Sequence, residues 1–344
     1  MTRIIIVGGG PAGISVAQAL AKKVTTNDVT EVIDFEKSKY YYHSVGTPRA
    51  VVDADYTKKL VVPYDNAIAA EARTYTVPLK QPKNNIKRST TEKMMAELHQ
   101  QIGNVNSILI VGGGATGAGV AGEIKPKFPN KTVTIIEGKD KQLGTDNVHE
   151  KFRSRLLKFL KHLDVNVVLA ERLTERLNGN SFERRTLRTD KGRELVSDIQ
   201  LLCGGFSPTT ELIKNLDAGL VTPQGLIKVN SKLQLDDARY SNIYALGDAN
   251  NNSAPKHMLF VSQQGTHLGN ELTVVARKTQ ENVRKDFPKV EVVPAMVPLD
   301  PNGGVSQLPF FGGMACGNFV ARTFKSKEYF ASFAWKNLNA EVPN

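Results

Sequence analysis

R-I-I-I-V-G-G-G-P-A-G, Arg3 to Gly13, and S-I-L-I-V-G-G-G-A-T-G, Ser107 to Gly117, are one pattern written twice. Each opens on the apolar run of a buried parallel strand, passes a glycine-rich turn and enters a stretch with helical character. In such a turn the first glycine (Gly8, Gly112) permits the tight bend and the second (Gly10, Gly114) lets a pyrophosphate approach the backbone. The third (Gly13, Gly117) lets helix pack closely on strand. The helix start, Pro11 and Ala12 in the first copy, then turns free N–H groups toward the phosphates. An acidic residue follows each loop where a carboxylate reaches ribose hydroxyls: Asp34 in E-V-I-D-F and Glu137 in V-T-I-I-E-G. One such loop is a weak signal. Two, each agreeing in strand, spacing and acid, predict an α/β chain with two Rossmann-like dinucleotide-binding domains.

Working outward, a helical stretch at Thr90 to Gln101 precedes the second copy, whose helix runs through Glu123 to about Pro126 and whose second strand is Thr132 to Glu137. Val165 to Leu169 and the polar region around Asn178 to Arg193 suggest antiparallel strands, and Ile199 to Leu202 runs apolar into Gly204 and Gly205. Ile243 to Leu246 reads as a short strand stopping at Gly247 and Asp248. It would set a carboxylate at a strand end, beside a helix beginning near His257, where it suits the ribityl or phosphate side of a flavin nucleotide. These features divide the chain into a discontinuous unit (1–103 and 206–285), a second unit (104–205) and a small α+β C-terminal region (286–344).

The composition excludes several classes. At 344 residues and 40% hydrophobic content the chain can bury real cores. No apolar run of about 18 residues exists to span a bilayer, and the first strand starts at Arg3, so a cytoplasmic location is the expectation. Cys203 and Cys316 are too far apart for a Cys-x-x-Cys pair and too few for a zinc site, so no metal is expected and any flavin must pass its electrons directly to an acceptor. Cys203 reads as a small buried residue. The net charge of +11 is concentrated between Lys151 and Arg193, where twelve Lys and Arg face five Asp and Glu. Such a field attracts anions, but Phe152, Leu156, Leu160 and Leu163 make the apolar stripe of an ordinary amphipathic helix with the charges opposite. Nucleic-acid binding is the lesser reading.

The order of first loop, second loop, L-L-C-G-G and Y-A-L-G-D-A resembles the two-dinucleotide-binding flavoproteins with a glutathione-reductase-like fold. Within them it resembles the apoptosis-inducing-factor-like and ferroptosis-suppressor-like NADH:quinone oxidoreductases. More specific are G-V-A-G-E-I-K-P-K-F-P-N-K (Gly119 to Lys131), A-P-K-H-M (Ala254 to Met258) and F-A-S-F-A-W-K (Phe330 to Lys336), which look like the ferroptosis-suppressor branch. The resemblance implies FAD on Gly8, Gly10 and Gly13, with Asp34 on its adenosine ribose and Asp248, beside Gly247, on its ribityl side. It implies NADH on Gly112, Gly114 and Gly117, with Glu137 on the ribose and Glu123 near the nicotinamide. Lys256 would lie close to the isoalloxazine and Lys336 on the quinone and flavin side. NADPH is disfavoured because Glu137 would repel a 2′-phosphate, an argument that nearby Lys139 and Lys141 soften.

One departure stands out. The family carries, between its two loops, an antiparallel insertion and an apolar strand ending A-T-G that closes over the flavin. Here D-N-A-I-A-A-E-A-R-T-Y-T-V-P, Asp65 to Pro78, offers only A-I-A-A, and the interval is several tens of residues short. The expectation is a flavin half lacking one strand and one wall. It keeps open a degenerate flavoprotein that binds nucleotide without turnover. Finally, Thr323 to Leu338 interleaves Phe324, Tyr329, Phe330, Phe333 and Trp335 with lysines, a pattern that either packs on the flavin unit or seats the protein peripherally on a membrane or lipid droplet.

Overall fold

The computed structural model describes residues 3–24, 31–36, 38–67, 74–76, 88–141, 148–204, 208–277, 282–290, 293–300, 302–308, 314–316 and 321–343. Each copy of the pattern builds a parallel sheet. In the first, β1 (Arg3–Val7) feeds α1 (Pro11–Ala21) and returns as β2 (Glu31–Phe35). Excursions through β3 (Tyr40–Tyr42), α2 (Thr47–Ala50) and β4 (Val61–Pro63) follow, before β5 (Thr74–Thr76) joins the far edge of β2. The order is β1-β2-β5. The long helix α3 (Arg88–Gly103) leads to the second sheet.

That sheet is more complete. β6 (Ser107–Val111), α4 (Ala115–Lys127), β7 (Thr132–Glu137), α5 (Glu150–His162) and β8 (Val165–Leu169) repeat the first unit. An antiparallel hairpin, β9 (Arg185–Arg188) and β10 (Glu194–Ser197), then delivers β11 (Ile199–Leu202) to the free edge of β6. The order β11-β6-β7-β8 is parallel throughout. Beyond it come α6 (Glu211–Leu216), α7 (Met258–Ala276), the antiparallel strands β12 (Ala295–Asp300), β13 (Gly303–Leu308) and β14 (Met314–Cys316), and α8 (Ala331–Asn337).

The amphipathic stripe behaves as its spacing dictates. Phe152, Leu156 and Leu160 of α5 are fully buried against Ile108, Ile110, Val133 and Ile135, each apolar side chain contributing about 1.5–3 kcal/mol. Lys151, Arg155, Lys158 and Lys161 face outward. In the hairpin the basic excess is largely paired, through Arg184–Asp198, Arg185–Glu175, Arg188–Glu194 and Arg193–Glu171. The same core runs on through Leu299 and Val305 to Leu60 and Tyr329, tying the second sheet to the C-terminal strands and to the segment after β3.

Two sequence expectations fail: Val165–Leu169 is a strand but runs parallel to β7, not antiparallel, and Ile243 to Leu246 forms no strand and contributes only an isolated bridge, Tyr244 to Gln234. A strand needs an adjacent partner, and among the described residues β1 pairs with β2 alone. Ile4 and Ile6 are buried, but Ile5 and Val7 are 55% and 58% exposed.

Candidate active site

The two glycine loops repeat each other to the level of single hydrogen bonds. In the second, Glu137 accepts from Gly113 N at 2.8 Å and from Lys139 N at 3.0 Å. In the first, Glu36 accepts from Gly9 N at 2.5 Å and from Ser38 N at 2.8 Å. The strand registers agree: Val111 opposes Ile136 and Val7 opposes Phe35, so each acid stands one residue beyond the last pair. A Cβ on Gly13 would overlap the Gly8 carbonyl, and one on Gly117 the Gly112 carbonyl, which is why helix and strand approach so closely there. Gly10 and Gly114 cap α1 and α4 without any side-chain hydrogen bond, and nothing described lies near their Cβ positions. Each cradle therefore presents bare backbone and a helix start to an anion.

This register revises the place of Asp34. It opposes Ile6 as Ile135 opposes Ile110, and so occupies a core position. It is 5% exposed, its Oδ1 has no hydrogen-bond partner, and burial, with Glu36 nearby, pushes its carboxyl up to about 6. The acid that the loop locks is Glu36. The longer connection ahead of β2 hides this in simple counting, but position relative to the strand end would have found it.

Both loops open on one cavity of about 3260 Å³. Gly247 and Asp248 line it as expected, in a short turn rather than at a strand end. Gly247 has φ +69° and donates from N to Gln264 Oε1 at 2.8 Å. Lys256 braces the turn, its Nζ donating to Asn250 O (2.7 Å), Asn250 Oδ1 (2.9 Å) and Gly247 O (3.1 Å). Burial pushes the Lys256 ammonium down, against the pull of Asp248.

From the C-terminal region Lys325 enters the same cavity, a residue that sequence reading missed. Its Nζ donates to Met296 O at 2.8 Å, and burial holds it down to about 8. It is half-buried in the cavity lining. His257 also lines the cavity but stays exposed to solvent; the protein mass around its ring lowers it to about 4, with Lys325 adding to the effect, a shift that its exposure moderates. Lys336, the lysine the resemblance pointed to, lies exposed on α8 and does not line the cavity.

Glu123 does not face the cavity either. It is 3% exposed and held by Arg49, Nε to Oε2 at 2.7 Å and Nη2 to Oε1 at 2.9 Å, with Tyr329 Oη donating to Oε1 at 2.8 Å. Arg49 also donates to Ser326 O at 2.9 Å. Tyr329 and Phe330 take left-handed backbone, φ +49° and +60°, and Tyr329 O accepts from His43 Nε2 at 2.7 Å. Strained positions of this kind persist only where surrounding contacts over-determine them. Here α2, α4 and the segment after β14 are knotted together directly behind the cavity wall that carries Lys325.

Comparison with known proteins places this geometry. A family model for pyridine nucleotide-disulphide oxidoreductases matches residues 30–278. The chain is 26% identical to ferroptosis suppressor protein 1 of Taeniopygia guttata, over 99% of the chain and 97% of that protein. It is 25% identical to apoptosis-inducing factor homolog B of Dictyostelium discoideum, over 99% and 98%. These alignments run to 381 and 391 positions, so both relatives carry stretches that this chain lacks. Among solved structures, the sulfide:quinone oxidoreductase of Aquifex aeolicus superposes with a TM-score of 0.78 at 10% identity, covering 99% of the chain and 92% of its own, which speaks to the fold alone.

Proposed function

The chain belongs to the pyridine nucleotide-disulphide oxidoreductase family, and we propose that it is an NAD(P)H dehydrogenase holding FAD on its first loop and NADH on its second, with a quinone-type molecule as acceptor. The observation that carries this reading is the doubled, carboxylate-locked glycine loop opening on a single cavity that also receives Lys325. The residues present suit two dinucleotides, since bare backbone at Gly10 and Gly114 and uncapped helix starts meet a pyrophosphate, and Glu137 meets a ribose. A bound flavin would supply hydride acceptance and one- or two-electron delivery. The chain supplies position and field. Lys256 fixes the Gly247–Asp248 turn at the flavin end, and Lys325 keeps a proton at neutral pH beside the cavity, where an acceptor oxygen gains negative charge.

The cysteines support delivery without a disulfide relay. Cys203 is a free thiol pushed up to about 11 by burial, and Cys316 lies 113 positions away in sequence. At the rim, Phe333 and Leu259 expose 62% and 43% of their surface, a suitable threshold for an apolar acceptor. Tyr329 and Trp335 are buried, which favours packing of that aromatic stretch over a membrane seat. Among the described residues no helix is long and apolar enough to cross a membrane. The same reading has the protein working in the cytoplasm, with the Phe333 rim as a candidate membrane contact. Liposome co-sedimentation at low salt tests that contact.

The preference for NADH rests on Glu137. Arg172, whose guanidinium lies against Gly138, opposes it with a nearby positive charge. The decisive experiment is the visible spectrum of FAD-supplemented protein under anaerobic conditions. NADH should bleach the flavin bands faster than NADPH does, and an unchanged spectrum with both would remove the reading.

A further inference from the structure

We infer that Tyr64 is a positioning residue of the first cradle: from behind the loop its hydroxyl turns the Gly9–Gly10 peptide so that Gly10 N–H faces the pyrophosphate. This rests on the reading that the first loop takes FAD. Tyr64 Oη donates to Gly9 O at 2.7 Å, and Gly9 N donates to Glu36 Oε2 at 2.5 Å. The middle glycine is thus gripped at both of its backbone groups. A Cβ on it would meet Tyr64 Oη at 3.0 Å and Glu36 Cγ at 3.1 Å, so glycine is the residue that leaves room for both partners.

Peptide geometry sets the direction. No peptide bond among the described residues is cis, and in a trans peptide the C=O and the following N–H point opposite ways. Gly8 and Gly10 line the cavity, whereas Gly9 is buried and neither it nor Tyr64 lines it. Drawing Gly9 O back onto Tyr64 therefore sends Gly10 N–H forward, into the cavity. That N–H carries more weight here than its counterpart in the second loop. After Gly10 comes Pro11, which has no N–H, so the next donor is Ala12; after Gly114 comes Ala115, which has one.

Tyr64 is itself held in place. Its ring packs against the cluster that contains Ile14, Tyr41, Val62 and Trp335. Trp335 Nε1 donates to Lys59 O at 2.8 Å and Asn339 Nδ2 donates to Asn66 O at 3.0 Å, so α8 and the residues after it clasp the chain on either side of Tyr64. Burial, with Glu36 and Asp34 adding negative charge nearby, holds the phenol above its usual range. It therefore stays a donor at neutral pH. Without the hydroxyl, Gly9 O would be buried with no donor; turning the peptide relieves that loss and turns Gly10 N–H away with it.

Tyr64→Phe keeps the ring and its packing and removes only the hydroxyl. The test titrates the flavin-stripped full chain and this variant with FAD by fluorescence quenching, and with NADH by calorimetry in parallel. The variant should bind FAD about 10-fold more weakly, bind NADH as before and, once saturated with FAD, be bleached by NADH at the wild-type rate. Val62→Ala thins the same cluster while keeping the hydroxyl. It should lower the melting midpoint by several degrees and leave FAD affinity as it was. FAD affinity of Tyr64→Phe within about twofold of wild type overturns the inference and leaves the flavoprotein reading standing. So does a matching loss of NADH affinity, or an equal loss of FAD affinity in Val62→Ala, since either would mark general loosening. No FAD binding by the wild-type chain, with NADH still bound, overturns the reading and the inference together.

Discussion

Arg49 grips Glu123 through two parallel hydrogen bonds, 2.7 and 2.9 Å long, across 74 positions of sequence. Both side chains are almost wholly buried. Their pairing locks α2 of the first half to α4 of the second, and Tyr329 adds the C-terminal region to the same knot. Removing one partner of a buried pair strands the other charge, at a cost of about 3–5 kcal/mol. Glu123→Gln and Arg49→Met should each lower stability by about that amount in urea unfolding, and the double variant Arg49→Met with Glu123→Leu should recover much of the loss. Single losses that simply add would show that the pair is not coupled.

Asp34 and Glu36 should separate cleanly. A carboxyl raised to about 6 in the folded chain binds a proton that the unfolded chain releases near 3.8. Its contribution is therefore most favourable below pH 4 and is lost as pH rises through 6. Asp34→Asn should stabilise the protein at pH 7 by up to about 3 kcal/mol and flatten that part of the stability profile. Glu36→Ala should instead loosen the first loop and weaken FAD binding, read by fluorescence titration. A stability loss in Asp34→Asn would count against the core placement.

Lys325 should matter and Lys336 should not. With its folded value near 8 and an unfolded value of 10.5, Lys325 binds fewer protons in the native state, so stability rises with pH between 8 and 10.5. Lys325→Met should raise stability at pH 7 by about 1–3 kcal/mol, reduced by the water that its cavity admits. It should also cut NADH-dependent acceptor reduction about 10- to 100-fold and remove a rate decline near pH 8. Lys336→Ala should leave both measurements unchanged.

Glu137→Ala removes a carboxylate that accepts from Gly113 N and Lys139 N. NADH affinity should fall about 10- to 100-fold by calorimetry, the worth of hydrogen bonds to a charged group. NADPH should lose less, so that the ratio between them narrows. An unchanged ratio would relocate selectivity to Arg172.

Much of the frame was legible from the chain. The runs at Ser107–Val111, Thr132–Glu137 and Ile199–Leu202 are the strands observed, because a central parallel strand is largely apolar; Val165–Leu169 is a strand too, but parallel to β7 rather than antiparallel as its neighbourhood suggested, since apolarity marks a strand and not its direction. Ile243 to Leu246 carries the same signature without becoming a strand, since apolarity prepares a segment to pair but cannot supply the neighbour. Gly205, Phe324 and most of Asp65 to Pro78 lie outside the described residues or side chains.

By itself the sequence determined that two glycine loops exist, each between a buried strand and a helix start, because local spacing and backbone freedom decide that much. Which acid each loop holds, which lysine reaches the cavity, and that Glu123 belongs to Arg49 were decided only in the tertiary structure. These depend on strand register and on segments brought together from 74 to more than 200 positions apart.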